Sequence, residues 1–244
     1  MLKIATKFSP QRNAFETAYQ AGFRFTELPL NRELLSNWKS IVELSREYAM
    51  AYALHAPNCN KLDEVALNNL CDLYFALDCH TIVFHEAVFQ TYGKTLSQME
   101  PSLGIAVENH RLSPPEFMAW ANKYQQLTLD IEHLWKFTLA DAPLSKLINA
   151  LESFLKDFNH KLHHVHMPGY IPGYSKHRPM YCSREMVFAV LDCFAASKFD
   201  GFIVSETQQR YQNELELRMD LLLFEAWRSS NQTTPRTSRK GQAA

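Results

Sequence analysis

At 244 residues, 46% of them hydrophobic and 12% aromatic, the chain carries enough apolar material for a large packed core, which excludes an extended or fibrous polymer. Its 25 Lys and Arg against 26 Asp and Glu give a net charge of -1, and because Arg236, Arg239 and Lys240 fall in an acid-free C-terminal stretch, residues 1–228 carry -4, which disfavours nucleic acid as a partner. No apolar run approaches the ~20 residues of a membrane span or the length of a signal peptide, and the five cysteines, odd in number and without a CxxC pair, read as reduced thiols of a cytoplasmic protein.

Short apolar, β-branched or aromatic runs alternate with stretches of helical period along the body of the chain. Strands are expected at 2–8 and 23–28, then a helix at 32–48, a strand at 50–55 and a helix at 62–77. Strands follow at 81–86 and 104–109, and Ser113-Pro114-Pro115-Glu116 then has the cap, prolines and first-turn acid of a helix start. The series closes with a strand at 127–131, a helix at 144–158, a strand at 162–166, a helix at 184–196 with Ser183 before it, a strand at 199–206 and a helix at 213–227. Residues 229–244, polar, basic and without period, read as a disordered tail.

Strand followed by helix, repeated, means parallel strands with crossovers. Eight units in the body give about 28 residues each, which fits a single, compact α/β domain of the (β/α)8 TIM-barrel type over residues 1–228. An open doubly wound sheet usually has a Gly-rich first turn, and this chain has only 7 glycines and no such turn. The one phosphate-loop lookalike, Gly93-Lys94-Thr95, has Val88 where the first loop glycine belongs.

Six successive strands end in a metal-competent side chain: His55, His85, Glu108, Asp130, His166 and Glu206. In a barrel those ends converge on one mouth, and packing alone does not account for them, since a buried charge costs several kcal/mol unless paired or coordinated. Glu108, Asp130, His166 and Glu206 form an oxygen-rich set suited to Mn²⁺, Mg²⁺, Co²⁺ or Zn²⁺. His55 and His85 are candidates to share Glu108 around a second ion. A weaker third set is His133, three residues after Asp130, with His177 in the long loop after the seventh strand; His164 points the same way as His166, one layer deeper.

Taken in order, Leu-His-Ala-Pro, Phe-His-Glu, Val-Glu-Asn-His, Leu-Asp-Ile-Glu-His, His-Val-His and Val-Ser-Glu resemble the xylose-isomerase-like TIM-barrel superfamily, which includes sugar isomerases and epimerases and also endonuclease IV. For the epimerases the resemblance implies one divalent metal on Glu108, Asp130, His166 and Glu206, and substrate contacts from His133 and from Arg178 in the loop after the seventh strand. The endonuclease branch implies a further zinc at His55 and His85 and a third at His133 and His177, where the aspartate of its loop pair is replaced by Ser175.

The expected activity is therefore a metal-dependent isomerase or epimerase of a small carbohydrate. Glu108 and Glu206 would exchange a proton through an enediolate, with His133, His177 and Arg178 on the substrate. The alternative is an endonuclease IV-like phosphodiester hydrolase. A homodimer is compatible with either, and a membrane partner with neither. The 167–182 loop, long for such a connection, is expected to fold over the mouth.

Overall fold

The computed structural model describes residues 2–59, 61–174 and 177–233. Among these, β1 (Lys3–Lys7), β2 (Phe25–Pro29), β3 (Ala51–His55), β4 (Ile82–His85), β5 (Ile105–Glu108), β6 (Leu127–Asp130), β7 (Leu162–His166) and β8 (Phe202–Ser205) pair in chain order, all parallel, and β8 closes back on β1. The closed barrel removes every sheet edge and brings all eight C-terminal strand ends to one mouth. Around it run α1 (Arg12–Ala21), α2 (Arg32–Ser36), α3 (Trp38–Ser45), α4 (Glu64–Ala76), α5 (Glu86–Met99), α6 (Pro114–Lys123), α7 (Ile131–His133), α8 (Leu144–Phe158), α9 (Arg184–Ala196) and α10 (Glu214–Thr233).

The main core lies between strands and helices, where Leu28, Leu54, Ile82, Phe84, Leu129 and Val165 meet helix residues such as Phe15, Leu70, Trp120, Leu151 and Phe194. A second, small cluster of Ala5, Ala53, Phe202 and Val204, with Phe25 against it, plugs the barrel interior. Period-two alternation continues upward from that plug, so the next inward positions are Lys7, Glu27, His55 and Glu206. Apolar residues thus fill the lower barrel, and ionisable ones crown it.

The expected 32–48 helix is two helices broken at Asn37, whose side-chain amide donates at 3.1 Å to the Glu33 carbonyl, the same oxygen that its own backbone N–H takes as helical partner, and so competes with the helical ladder. Ser113 and Glu116 form the expected capping box. Ser183 does not cap its helix; its hydroxyl instead accepts the Tyr170 N–H at 3.0 Å, tying the loop after β7 to the start of α9. Residues 229–233, expected in the tail, extend α10, while 234–244 and Ser175 lie outside the described residues. No helix among the described residues is long and apolar enough to cross a membrane.

α10 is anchored through Asp220, whose carboxylate accepts from the Ser205 hydroxyl at 2.5 Å and from the Tyr181 N–H at 3.1 Å. Burial lifts this carboxyl from 3.8 to about 6, the Ser205 hydroxyl and the Met180 and Tyr181 backbone opposing only in part. A folded value above the unfolded one means that the contribution to stability is complete below pH ~4 and is lost as pH rises through about 6, roughly 2–3 kcal/mol in all. Urea unfolding from pH 4 to 7 should therefore show a wild-type decline that Asp220→Asn flattens; parallel curves for the two proteins would refute this.

Candidate metal centre at the barrel mouth

The structure brings the six sequence-predicted strand-end residues together. Asp130 is paired in register with His166 and His85 with Glu108, so neighbouring strands present their polar ends at one height. Asn109 locks the β5 and β6 ends, accepting the Asp130 N–H at 2.7 Å and donating to the Asp130 carbonyl at 3.1 Å.

Three carboxylates converge on one imidazole nitrogen. His166 Nδ1 lies 3.2 Å from Glu206 Oε2, 3.3 Å from Glu108 Oε1 and 3.9 Å from Asp130 Oδ2. Each carboxylate commits its other oxygen elsewhere: Glu206 Oε1 to Lys7 Nζ at 2.9 Å, Asp130 Oδ1 to the His133 N–H at 2.8 Å, and Glu108 Oε2 toward His55 and His85 at 3.4 and 3.2 Å. Asp130 Oδ2 is buried and makes no hydrogen bond. A single N–H cannot satisfy three carboxylate oxygens, so the group fits a multivalent cation in its midst, and Glu108, Asp130 and His166 have ligand atoms within 4.8 Å of one another.

The electrostatics agree. Burial opposes the charged form of His166, but Glu27, Glu206 and Glu108 outweigh it and hold the imidazole well above its ordinary pKa. Burial, joined by Glu108 and Glu206, pushes Asp130 well above the usual carboxylate range. Glu206 goes the other way, to about 2, because Lys7 and His166 more than offset its burial. Lys7 is raised despite desolvation, by Glu206, Glu27 and Glu108, and stays a cation.

A second group adjoins the first, consisting of His55, His85 and Glu108. His55 Nδ1 lies 3.0 Å from the Ala56 carbonyl, an oxygen that can only accept, so the ring proton is on Nδ1 and a lone pair on Nε2 faces Glu108 Oε2. Burial keeps His55 below its ordinary value, hence neutral. Two lone pairs facing each other at 3.4 Å also fit a cation between them.

The third set is not assembled among the described residues. His133 Nδ1 donates to the Asn109 carbonyl at 2.9 Å, leaving Nε2 as an acceptor. The loop after β7 does reach the mouth at His177, whose ring is 3.9 Å from both Glu132 and Glu206. His177 adopts the left-handed conformation at φ 54°, held by its N–H to Glu132 at 3.0 Å and by the Gln208 N–H to its carbonyl at 2.9 Å. Arg178 pairs through its backbone with Gly169, where a Cβ would meet the Pro179 carbonyl at 1.9 Å; its Nε is buried without a hydrogen bond. Trp135 and Tyr170 pack edge to face at the base of this loop, and Phe89 packs in the outer layer against Phe84 and Tyr124.

Four residues at the mouth fall outside the sequence-based set. Glu27, fully buried on β2, accepts from His166 Nε2 at 2.8 Å and from His164 Nε2 at 2.6 Å, which gives His164 the deeper role expected of it. Lys7 on β1 lies between Glu27 Oε1 and Glu206 Oε1, 2.9 Å from each. His110 stacks on His85 at 5.1 Å, and Glu132 is fully buried beneath His177. The rule that finds His55 and His85, an ionisable residue at an inward strand end, reaches Lys7 and Glu27 only once the inward face of the first two strands is known, and their partners across the barrel are what reveal it.

No protein-family model matches the chain, and no curated protein matches it. Solved structures do. A D-tagatose 3-epimerase-like protein superposes with TM-score 0.65 at 15% identity, over 96% of this chain and 100% of that one. The D-allulose 3-epimerase of Methylomonas sp., in complex with D-allulose, gives 0.58 at 14%, over 91% and 90%. Endonuclease IV from Thermus thermophilus gives 0.59 at 17%, over 93% and 99%. The closed eight-stranded parallel barrel of this chain is accordingly the fold that those epimerases and that endonuclease share.

Proposed function

We propose that the protein is a divalent-metal-dependent isomerase or epimerase of a small keto-sugar. The observation that carries this reading is the convergence of one oxygen each from Glu108, Asp130 and Glu206 on His166 Nδ1 while their second oxygens are held elsewhere. These four residues would hold the ion, and Glu27, bonded to His166 Nε2, sets which ring nitrogen faces it. When bound, such an ion supplies Lewis acidity for the carbon-bound proton between a carbonyl and a hydroxyl.

The chain's own residues supply the rest. Glu108 and Glu206 reach the centre from different strands, and as carboxylates they take the proton from one face of the substrate and return it at the other. His133, neutral through burial, offers Nε2 to a substrate hydroxyl, and His177, on the loop after β7 and 3.9 Å from Glu206 Oε1, offers a second contact. His177→Ala should raise KM and lower kcat/KM about tenfold, the size of one lost hydrogen bond. An unchanged kcat/KM would remove His177 from the substrate contacts.

The hydrolase reading is favoured by one specific feature, the His55, His85 and Glu108 group beside the first site. Metal analysis and two assays on the same metal-loaded protein decide between them. One ion with isomerisation of a ketose supports the first reading. Two or more ions with cleavage of a duplex containing an abasic site, and no ketose conversion, replaces it with the second.

A further inference from the structure

The carboxylates around His166 Nδ1 are not equally constrained. Asp130 is fixed by a backbone N–H, and Glu108 is 2% exposed with two imidazoles against its second oxygen. Glu206 lies one residue beyond the end of β8, its side chain 15% exposed, with Oε1 hydrogen-bonded to the ammonium of Lys7 at 2.9 Å and His177 Nδ1 farther off at 3.9 Å. Lys7 is pinned in turn, since its side chain is 12% exposed and Nζ is 2.9 Å from Glu27 Oε1, while Glu27 Oε2 holds His164 and His166. One buried chain of charges, Glu206 to Lys7 to Glu27 to His166, thereby joins two of the four residues assigned to the ion.

We propose that Lys7 is a positioning residue that makes Glu206 a single-oxygen metal ligand, by occupying Oε1 and leaving only Oε2 for the ion. The inference rests on the metal-site reading above and deepens it. Carboxylates grip hard divalent ions through one oxygen or two, and such ions commonly take six ligand atoms. Four single-atom ligands leave two positions for the adjacent carbonyl and hydroxyl oxygens of a ketose. A two-oxygen grip by Glu206 leaves one, too few for that pair. The ammonium therefore keeps the ion open to substrate while repelling it, and its removal should strengthen metal binding and weaken catalysis together. A lysine that merely supported the fold would, on removal, weaken both.

The test titrates Co²⁺ into the full-length wild type, Lys7→Met and Lys7→Arg, followed by visible and X-ray absorption, with circular dichroism to confirm folding. Lys7→Met should bind Co²⁺ roughly tenfold or more tightly, because a nearby like charge is gone. It should also gain the short metal–carbon distance of a two-oxygen carboxylate and lose ketose turnover, whereas Lys7→Arg keeps the wild-type spectrum. A Lys7→Met protein with the wild-type spectrum and equal or weaker affinity overturns the proposal. Should Lys7→Met not fold, a crystal structure of Co²⁺-loaded wild type decides: Glu206 bound through Oε2 alone with Lys7 on Oε1 supports it, and a two-oxygen grip overturns it. A wild type that takes up no Co²⁺ defeats the metal-site reading itself, and this inference with it.

Discussion

Turnover of a ketose in heavy water should leave deuterium at the carbon next to the carbonyl, and Glu206→Gln should slow that exchange by about 10²–10⁴-fold while the protein keeps its metal. Two features of the mouth lead to this. Lys7 and His166 hold Glu206 ionised at neutral pH, and His166 with the histidines around Glu108 hold that carboxyl well below its usual range, so both are available as bases. The amide of Gln preserves an oxygen at the ligand position but cannot accept a proton from carbon. Loss of exchange with retained metal therefore separates proton carrier from ligand. A hydrolase would show no carbon-bound deuterium in either protein, and equal exchange in wild type and Glu206→Gln would assign the proton transfer to another group.

The fold was legible because period-two and helical patterns alternate without interruption, and β7 and α8 lie at the expected residues. Boundaries shifted where local chemistry intervened. Asn37 breaks a helix when its side-chain amide competes for a carbonyl, and β8 begins at Phe202, which pairs with His164, just after Gly201, where a Cβ would sit 2.1 Å from the His163 carbonyl. At the mouth, histidines and acids ending apolar strands stood out against their neighbours. Lys7 and Glu27 did not, because a lysine after Ala-Thr and a glutamate in Phe-Thr-Glu-Leu look like the solvent face of an alternating strand. Their inward role depends on partners as far away in sequence as Glu206 and His166, and no local pattern encodes contacts 199 and 139 residues apart. Glu132 is similar: within Asp-Ile-Glu-His it reads as a first-turn acid, whereas its burial comes from the β7 loop folding down onto it.

Asp130→Asn should invert the order of stability between metal-free and metal-loaded protein. In the metal-free chain the Asp130 carboxyl is fully buried, with one oxygen unpaired and Glu108 and Glu206 nearby, and its pKa is raised well above 3.8. A raised folded value means that the stabilising contribution is present below the unfolded value, about 4, and is lost as pH rises through the folded one. At pH 7.5 the metal-free wild type thus carries the cost of either ionising a buried acid or binding a proton from dilute solution, and the neutral amide removes that cost. The variant should melt higher than wild type in chelator. With metal at about 1,000 times its Kd, wild type should gain about 4 kcal/mol, which for a barrel of this size raises Tm by about 8–16 °C, whereas Asp130→Asn, one carboxylate short, should lose most of that shift. Two melting curves per protein, with chelator and with excess Mn²⁺, are sufficient. If Asp130→Asn keeps the full metal-induced shift, Asp130 is not a ligand; if it melts lower than wild type in chelator, the buried carboxylate is being stabilised by a partner other than a metal ion.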